Sequence, residues 1–191
     1  MVKVMKIGII SDTHGSAEAW NKAYKDFFSD VDLILHAGDH LYHGPRNKLA
    51  VDYSPKDLAE KINTCDTTIL SVRGNCDSDV DAGVLDIPLV SPYLFTYIEG
   101  FRFVVTHGDV TETDEDKLQL AQKLHADIFI SGHTHVAGIK KENGCVFINP
   151  GSPSLSKRSD GRQTIAVLDL IEKYVRIYDL YTKEVIEEVE I

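Results

Sequence analysis

Two histidines one residue apart, His133 and His135, have a spacing with which one loop can present two imidazoles to a single metal ion. They follow a strand-like run at 127–130, and in extended backbone side chains two positions apart leave the same face. Four further polar clusters also follow hydrophobic runs. Their chemistry-bearing residues are Asp12, His14, Asp39, Asn75 and His107. We expect all five clusters to contribute to one site.

These seven side chains are all nitrogen or oxygen donors, and no thiolate is needed to complete the set. Mixed imidazole and carboxylate donors suit Mn, Fe, Zn, Co or Ni better than Ca or Mg. Seven donors exceed what one tetrahedral zinc uses. They fit two divalent ions with one shared carboxylate, and such a pair can bind a phosphoryl group and activate a water.

The first half of the chain alternates strands and helices, which would place these donors at one edge of a sheet. Apolar runs at 4–10, 32–37 and 67–72 read as buried strands, and each ends in a polar loop. Between them, 16–29 reads as a helix capped by Ser16, and 55–63 as a helix opened by Pro55. The pattern predicts a parallel sheet with crossover helices, whose strand ends form a ligand crevice.

The second half changes character after a polar, acidic loop at 75–86. Runs at 93–98 and 101–106 predict a hairpin around Glu99 and Gly100, and 137–141 with 145–148 predict another around Asn143 and Gly144. A helix is expected at 113–125, with the acidic run 112–116 as its solvated start, and a strand at 127–130. A meander of about three strands is expected from 163 to the end. We find no repeat or linker and expect one domain, 1–191.

Composition limits the class of partner. The 191 residues carry a formal net charge of −10, which disfavours binding of nucleic acid polymers. Three cysteines without CxxC spacing indicate a reducing compartment. The apolar run behind Lys3 and Lys6 is too short for a signal peptide, and no later run approaches membrane-spanning length. We expect a cytoplasmic protein that acts on a small molecule, with no membrane contact.

The donor clusters, taken in order, resemble the metallophosphoesterase (calcineurin-like) superfamily. The matching blocks are Asp12-x-His14, Gly38-Asp39, Gly74-Asn75, His107-Gly108 and Gly132-His133-x-His135. The runs 43–47, 74–81 and 149–152 further resemble the small YfcE-type phosphodiesterases of bacteria. This resemblance implies an α/β (α+β) fold, a two-sheet mixed β-sandwich flanked by helices, with a dinuclear site of the manganese type; Zn, Fe, Ni and Co stay open.

The resemblance also implies which donors hold each ion. One ion would take Asp12, His14, Asp39 and His135, and the other Asp39, Asn75, His107 and His133, so that Asp39 bridges. A hydroxide between the ions would then attack phosphorus in line. The residues that the resemblance implies to act on the reacting group are three of these donors, Asp39, Asn75 and His107, together with Cys76.

Cys76 is a departure from much of the superfamily, where a histidine follows the asparagine and assists the leaving group. A thiol is a poorer donor of positive charge than an imidazolium, so this chain should favour substrates whose leaving group needs little acid. Asp77, His43 or a metal-bound water could serve as the acid instead, and the sequence does not decide among them.

Four residues near the predicted site are candidates for binding substrate: His43, Arg46, Asn47 and Asp77. Arg46 and Asn47 could hold a phosphate or ribose, since a guanidinium matches phosphate oxygens; an ordinary loop ion pair is the alternative. His36 reads either as a satisfied core histidine or as a residue supporting a ligand, and His40 reads either as such a support or as solvent-facing.

The leading hypothesis from the sequence is a metal-dependent phosphodiesterase for small phosphate esters, with an open, shallow site. Two alternatives remain. One is a phosphomonoesterase or nucleoside-polyphosphate hydrolase. The other is a non-catalytic scaffold of the same fold, like the retromer subunit. Homo-oligomerisation is also left open.

Overall fold

Within residues 5–111 and 113–191, which the computed structural model describes, twelve strands form two mixed sheets. The predicted strand at 4–10 and the acidic run 112–116 each include one residue outside these ranges. In chain order the strands are β1 (Lys6–Ile10), β2 (Leu33–His36), β3 (Ile69–Val72), β4 (Leu89–Val90), β5 (Tyr93–Ile98), β6 (Phe101–Thr106), β7 (Ile128–Ser131), β8 (Gly138–Glu142), β9 (Cys145–Asn149), β10 (Thr164–Asp169), β11 (Tyr174–Asp179) and β12 (Val185–Glu190).

The first sheet has seven strands in the order β12-β11-β10-β1-β2-β3-β4, and the second has five in the order β5-β6-β7-β9-β8. Strands β1, β2 and β3 are parallel, with Ile7 opposite Leu33 and Ile34 opposite Ile69. In the second sheet β6 and β7 are parallel too. The predicted parallel arrangement of the first half is therefore confirmed.

The main core lies between the two sheets. Apolar side chains such as Ile9 and Leu35 from the first sheet pack with Phe103 and Ile130 from the second, and all four are fully buried. Burial of such side chains stabilises the fold by about 1.5–3 kcal/mol each. A second apolar cluster fills the space between the first sheet and the helices. The two-sheet mixed sandwich flanked by helices, predicted from the resemblance, is confirmed.

Five helical segments flank the sheets in the described ranges: α1 (Ala17–Ala23), a π-helix (Tyr24–Phe28), α2 (Pro55–Asn63), α3 (Asp79–Val84) and α4 (Asp114–Lys123). The Ser16 side chain accepts from Ala19 N–H and so caps α1 as predicted. The sequence did not indicate that this helix continues as a π-helix. Thr113 and Asp116 form a capping box at the start of α4.

Helix α3 corrects the sequence prediction, which assigned 75–86 to a loop. Its start is fixed by a capping box, in which Ser78 Oγ accepts from Asp81 N–H and Asp81 accepts from Ser78 N–H. The S-x-x-D pattern was the signal for this helix, but valines and Gly83 gave the segment a weak helix propensity. The two-residue strand β4 was also missed, because so short a run carries no periodicity.

Both predicted hairpins and the terminal meander are confirmed. Strands β5 and β6 are joined by Glu99 and Gly100, at φ 47° and 94°, and β8 and β9 by Asn143 and Gly144, at φ 49° and 81°. Positive φ at both central residues is what a tight two-residue hairpin turn requires. Strands β10, β11 and β12 pair antiparallel in sequence. In the described ranges no helix has the length and apolar character needed to cross a membrane.

Candidate metal centre

The predicted donors lie where parallel strands of both sheets end. Asp12 follows β1, Asp39 follows β2 and Asn75 follows β3 in the first sheet, while His107 follows β6 and His133 follows β7 in the second. The loops are bonded to one another: Asp12 N–H donates to the Gly38 carbonyl (3.0 Å), and Gly132 N–H to the His107 carbonyl (2.8 Å). His133 N–H donates to Asp12 Oδ2 (3.0 Å) and so joins the two sheets at this edge.

One group of donors consists of Asp12, His14 and His135, all buried. His14 Nδ1 lies 2.8 Å from the Tyr42 carbonyl, and His135 Nδ1 lies 2.6 Å from the Leu155 carbonyl. A carbonyl only accepts, so each Nδ1 carries a hydrogen, and each neutral ring then presents a lone pair at Nε2. The two Nε2 atoms nevertheless face each other at 3.1 Å.

The remaining atom of this group, Asp12 Oδ1, is buried and makes no hydrogen bond within the described structure. It lies 3.3 Å from His135 Nε2 and 3.7 Å from His14 Nε2. A buried carboxylate oxygen without a partner is costly. Three lone-pair donors converging on one point are the arrangement that a bound cation satisfies, so these residues fit a divalent metal.

A second group consists of Asn75, His107 and His133. His107 Nδ1 donates to the Ala37 carbonyl (2.8 Å), and its Nε2 lies 3.0 Å from Asn75 Oδ1 and 3.2 Å from His133 Nδ1. His133 Nδ1 is itself 2.8 Å from Asn75 Oδ1. A neutral His107 would again point a lone pair at an oxygen, and a cation at this position would resolve the conflict.

Asp39 lies between the two groups. Its Oδ2 is 3.7 Å from His14 Nε2 in the first group and 3.4 Å from His107 Nε2 in the second. Its other oxygen, Oδ1, accepts from Cys76 N–H at 2.8 Å, which fixes the orientation of the carboxylate. The structure therefore brings all seven predicted donors together, with Asp39 in the central position.

The pKa values of the donors depend on their burial and on the charges beside them. Burial of Asp12 disfavours its charge, but the adjacent His135 and His14 imidazoles outweigh this and hold its pKa well below the usual range. Burial also disfavours protonated His107, yet its contact with Asp39 and the charge of Asp12 raise its pKa to about 9. A divalent cation bound by His107 would therefore have to compete with a proton.

The backbone at this site is unusual. Asp12, His14, Asp39, His133 and His135 all have positive φ, between 45° and 69°. Residues other than glycine rarely adopt this conformation, and when they do it is often at functional sites. The left-handed backbone in the loops after the strands therefore directs these five side chains toward the candidate metal site.

Two of the four residues predicted to bind substrate, Asp77 and His43, have side chains that are engaged by other groups of the protein. Asp77 is buried, and its oxygens accept from the N–H groups of Asp39 (2.9 Å), His40 (2.7 Å) and Gly74 (2.8 Å) and contact His40 Nδ1 (2.8 Å). Both carboxylate oxygens are therefore engaged within the protein, although Asp77 also lines the cleft beside the donors. Burial opposes its charge, but His40 and these N–H groups lower the pKa of Asp77 far below the usual range. His43 packs edge-on between Tyr42 and Tyr53 rather than lining the cleft beside the donors.

Two other histidines whose roles were left open by the sequence support the loops that carry the donors. His40 Nε2 contacts Ser71 Oγ at 2.7 Å, so both ring nitrogens are satisfied inside the protein. His36 Nδ1 accepts from Gly38 N–H, so its Nε2 donates to Thr13 Oγ1. The two rings stack with centroids 3.8 Å apart. Neither ring faces solvent, which excludes the solvent-facing alternative for His40.

A cleft of about 810 Å³ opens beside the donors. Arg46, Asn47, Cys76 and Lys157 line it together with several of the donors. Asn47 Nδ2 also donates to the His43 carbonyl (2.9 Å), so Asn47 holds the loop in shape. Burial raises the pKa of the Cys76 thiol to about 12, so the thiol is neutral. Sequence reasoning missed Lys157; its place shortly after the 149–152 run was the available signal.

The run 149–152 and the residues just after it form hydrogen bonds with the loops that carry the donors. Asn149 Nδ2 donates to the Gly132 carbonyl (2.9 Å), which lies just before His133. Ser152 Oγ donates to the Asp12 carbonyl (2.8 Å), and Ser154 Oγ donates to the Thr13 carbonyl (2.9 Å). The segment after β9 therefore fixes the backbone of both the first and the last donor loop.

Gly74 is required by the close approach of Asp39. A Cβ at residue 74 would lie 2.1 Å from Asp39 Oδ1 and 2.4 Å from Asp39 N. We expect Gly74→Ala to displace Asp39 and to lower Mn²⁺ affinity by about tenfold or more, the cost typical of changes beside metal ligands. Calorimetric titration of the metal-stripped protein measures this. Gly138→Ala is the control, because a Cβ there meets nothing within 4 Å; equal affinities in both variants would contradict the prediction.

Comparison with known proteins agrees with this geometry. Residues 5–173 match the family described as the calcineurin-like phosphoesterase superfamily domain. The phosphodiesterase YfcE of Escherichia coli is 34% identical over 155 residues, which cover 81% of this chain and 82% of YfcE. A solved YfcE structure superposes with a TM-score of 0.84 at 30% identity, covering 98% of this chain and 100% of that one.

The vacuolar protein sorting 29 protein of Cryptosporidium parvum also superposes, with a TM-score of 0.73 and 19% identity, covering all of both chains. At that identity the likeness concerns the fold alone.

Proposed function

Since this chain belongs to the calcineurin-like phosphoesterase superfamily, whose members use divalent metals, we propose that it is a metal-dependent phosphodiesterase that hydrolyses small phosphate diesters at a two-metal site. The observation that carries this proposal is the position of Asp39, whose carboxylate lies within 3.7 Å of histidine nitrogens from both donor groups. Similarity to the phosphodiesterase YfcE supports the choice of reaction.

Seven side chains would hold the two ions. The first ion would be held by Asp12, His14, Asp39 and His135, and the second by Asp39, Asn75, His107 and His133. Two divalent ions supply positive charge for the phosphoryl oxygens and lower the pKa of a water so that it can attack phosphorus. The nitrogen and oxygen donors suit Mn, Fe, Zn, Co or Ni, and among these we propose Mn²⁺.

The chain's own groups orient the site and the substrate. Carbonyls of Tyr42, Leu155 and Ala37 hold His14, His135 and His107 in the tautomer that presents Nε2. Arg46 and Lys157 line the cleft as cations and would neutralise non-bridging phosphate oxygens. The neutral Cys76 thiol supplies no charge to a leaving group, so a diester with a good leaving group is the favoured substrate.

The first test is hydrolysis by metal-stripped protein before and after addition of Mn²⁺. We expect Mn²⁺ to restore turnover of bis-p-nitrophenyl phosphate and expect this diester to be preferred over p-nitrophenyl phosphate. A preference for the monoester would favour the phosphomonoesterase alternative. Failure of Mn²⁺, Zn²⁺, Co²⁺, Ni²⁺ and Fe²⁺ to restore turnover of either ester would overturn the enzyme proposal and favour a scaffold.

A further inference from the structure

An apolar pocket of about 510 Å³ adjoins the cleft beside the candidate metal centre. The pocket and the cleft share three lining residues, Tyr42, Cys76 and Ser78. Its remaining wall is largely apolar and comes from the loop after β2, the start of α2 and helix α3. The apolar side chains of that wall are Leu41, Tyr53, Pro55, Val80 and Val84.

The valines that α3 contributes to this wall do not pack into the hydrophobic core. The helix buries none of its side chains, and Val80 and Val84 are 73% and 47% exposed. Residues four apart lie on the same face of a helix, so the two valines form one apolar strip. Valine also has a lower helix propensity than unbranched residues. The strip adjoins the other apolar side chains of the pocket, so the exposed apolar surface is continuous there and can serve as a binding surface.

Two residues that line the pocket, Tyr42 and Cys76, contact the metal donors through their backbone groups. The Tyr42 carbonyl, next to the pocket, contacts His14 Nδ1 at 2.8 Å. Cys76 N–H, on the opposite loop, donates to Asp39 Oδ1 at 2.8 Å. A phosphate bound at the donors would therefore occupy the cleft that shares a wall with this pocket. This continuity identifies the occupant as part of the substrate rather than a separate partner.

We propose that the pocket binds an aromatic ring carried by one ester group of the substrate. Tyr42 and Tyr53 supply rings of the kind that pack against aromatic groups. The pocket's one carboxylate, Asp81, is engaged through Oδ2 by Ser78 in the cap of α3, and Lys56 in the same lining supplies a compensating positive charge, so the pocket does not demand a cationic ligand. The inference rests on the proposed function and adds a substrate class to it: diesters with an aromatic substituent.

The test measures binding rather than turnover. Phenylphosphonate and methylphosphonate share the anionic head, resist hydrolysis and differ only in the ring. We expect the Mn²⁺-loaded protein to bind phenylphosphonate about tenfold more tightly by calorimetry, a gain typical of burying part of a ring. In the double variant Val80→Ser, Val84→Ser that ratio should fall below about threefold, with methylphosphonate affinity unchanged. Val185→Ser is the matched control, since Val185 is 48% exposed and lies on β12.

Three outcomes overturn the inference, and they differ in what they imply. If both phosphonates bind but the ratio is near one, or is the same in the double variant, the pocket does not bind the ring and the phosphodiesterase proposal stands. If neither phosphonate binds and neither nitrophenyl ester is hydrolysed with any metal, the proposed function fails and the inference fails with it. If neither binds but esters are hydrolysed, only the inference fails.

Discussion

Asp39→Asn is expected to lower kcat/KM for bis-p-nitrophenyl phosphate by on the order of a thousandfold or more in saturating Mn²⁺. Loss of a single preorganised donor at a reacting oxygen already costs about 10²–10³ in rate, and Asp39 is proposed to serve both ions. Asparagine keeps the size of the side chain but removes the charge that faces His14 and His107 at 3.7 and 3.4 Å. The measurement is steady-state kinetics with metal content determined on the same sample.

Cys76→Ala is the comparison that makes this prediction specific. The thiol lines the cleft, and burial raises its pKa to about 12, so it contributes no charge. We expect its removal to cost less than about tenfold, well below the loss from Asp39→Asn, because a neutral thiol is a weak hydrogen-bond donor. Equal losses in two well-folded variants would argue against Asp39 as the shared ligand and for a direct chemical role of Cys76.

The second large effect is expected at Asp77. Asp77→Asn should lower the free energy of unfolding by about 3 kcal/mol, because an amide NH₂ would face backbone N–H groups that now donate to a buried carboxylate. In a domain of this size that is a fall in Tm of about 6–12 °C. Because Asp77 accepts from Asp39 N–H at 2.9 Å, Mn²⁺ affinity should also fall. Thermal unfolding and metal titration measure the two effects.

The same change two residues later is the control. Asp79 is exposed and pairs only at the surface with Arg73 (3.0 Å), so Asp79→Asn should cost well under about 1 kcal/mol. The pKa of Asp77 is lower in the folded than in the unfolded protein. The Asp77 carboxylate therefore stabilises the fold at pH values above its pKa in the unfolded chain, near 4. This stabilisation is lost as the pH falls below that pKa. An Asp77→Asn protein as stable as Asp79→Asn at pH 7 would show that the carboxylate is not needed.

The order of elements could be predicted from the sequence because buried strands and their breaks are local features. Each apolar run stops at a polar loop, and tight turns such as Asn143-Gly144 leave a clear signature. Weak or very short elements could not be predicted. The π-helix at 24–28 is set by how the chain packs after α1, and β4 is only two residues long.

The seven donors could be identified from the sequence because their side-chain chemistry is unusual after buried strands. The direction in which a polar side chain points could not be predicted from the sequence. Asp77 follows the cleft-lining residues Asn75 and Cys76 in the chain. Its carboxylate accepts hydrogen bonds from the N–H groups of Asp39 and Gly74. His43 likewise packs between tyrosines. Lys157 reaches the cleft only because the segment after β9 folds back onto Asp12, a contact between distant parts of the chain.

The left-handed backbone at five donors means that fold stability and metal binding place opposite demands on the same positions. Asp12, His14, Asp39, His133 and His135 each occupy a conformation that glycine adopts without penalty, so glycine there would relieve strain on the order of 1 kcal/mol per position. The side chains of Asp12, His14 and His135 offset part of that strain through hydrogen bonds within the site, which glycine would lose.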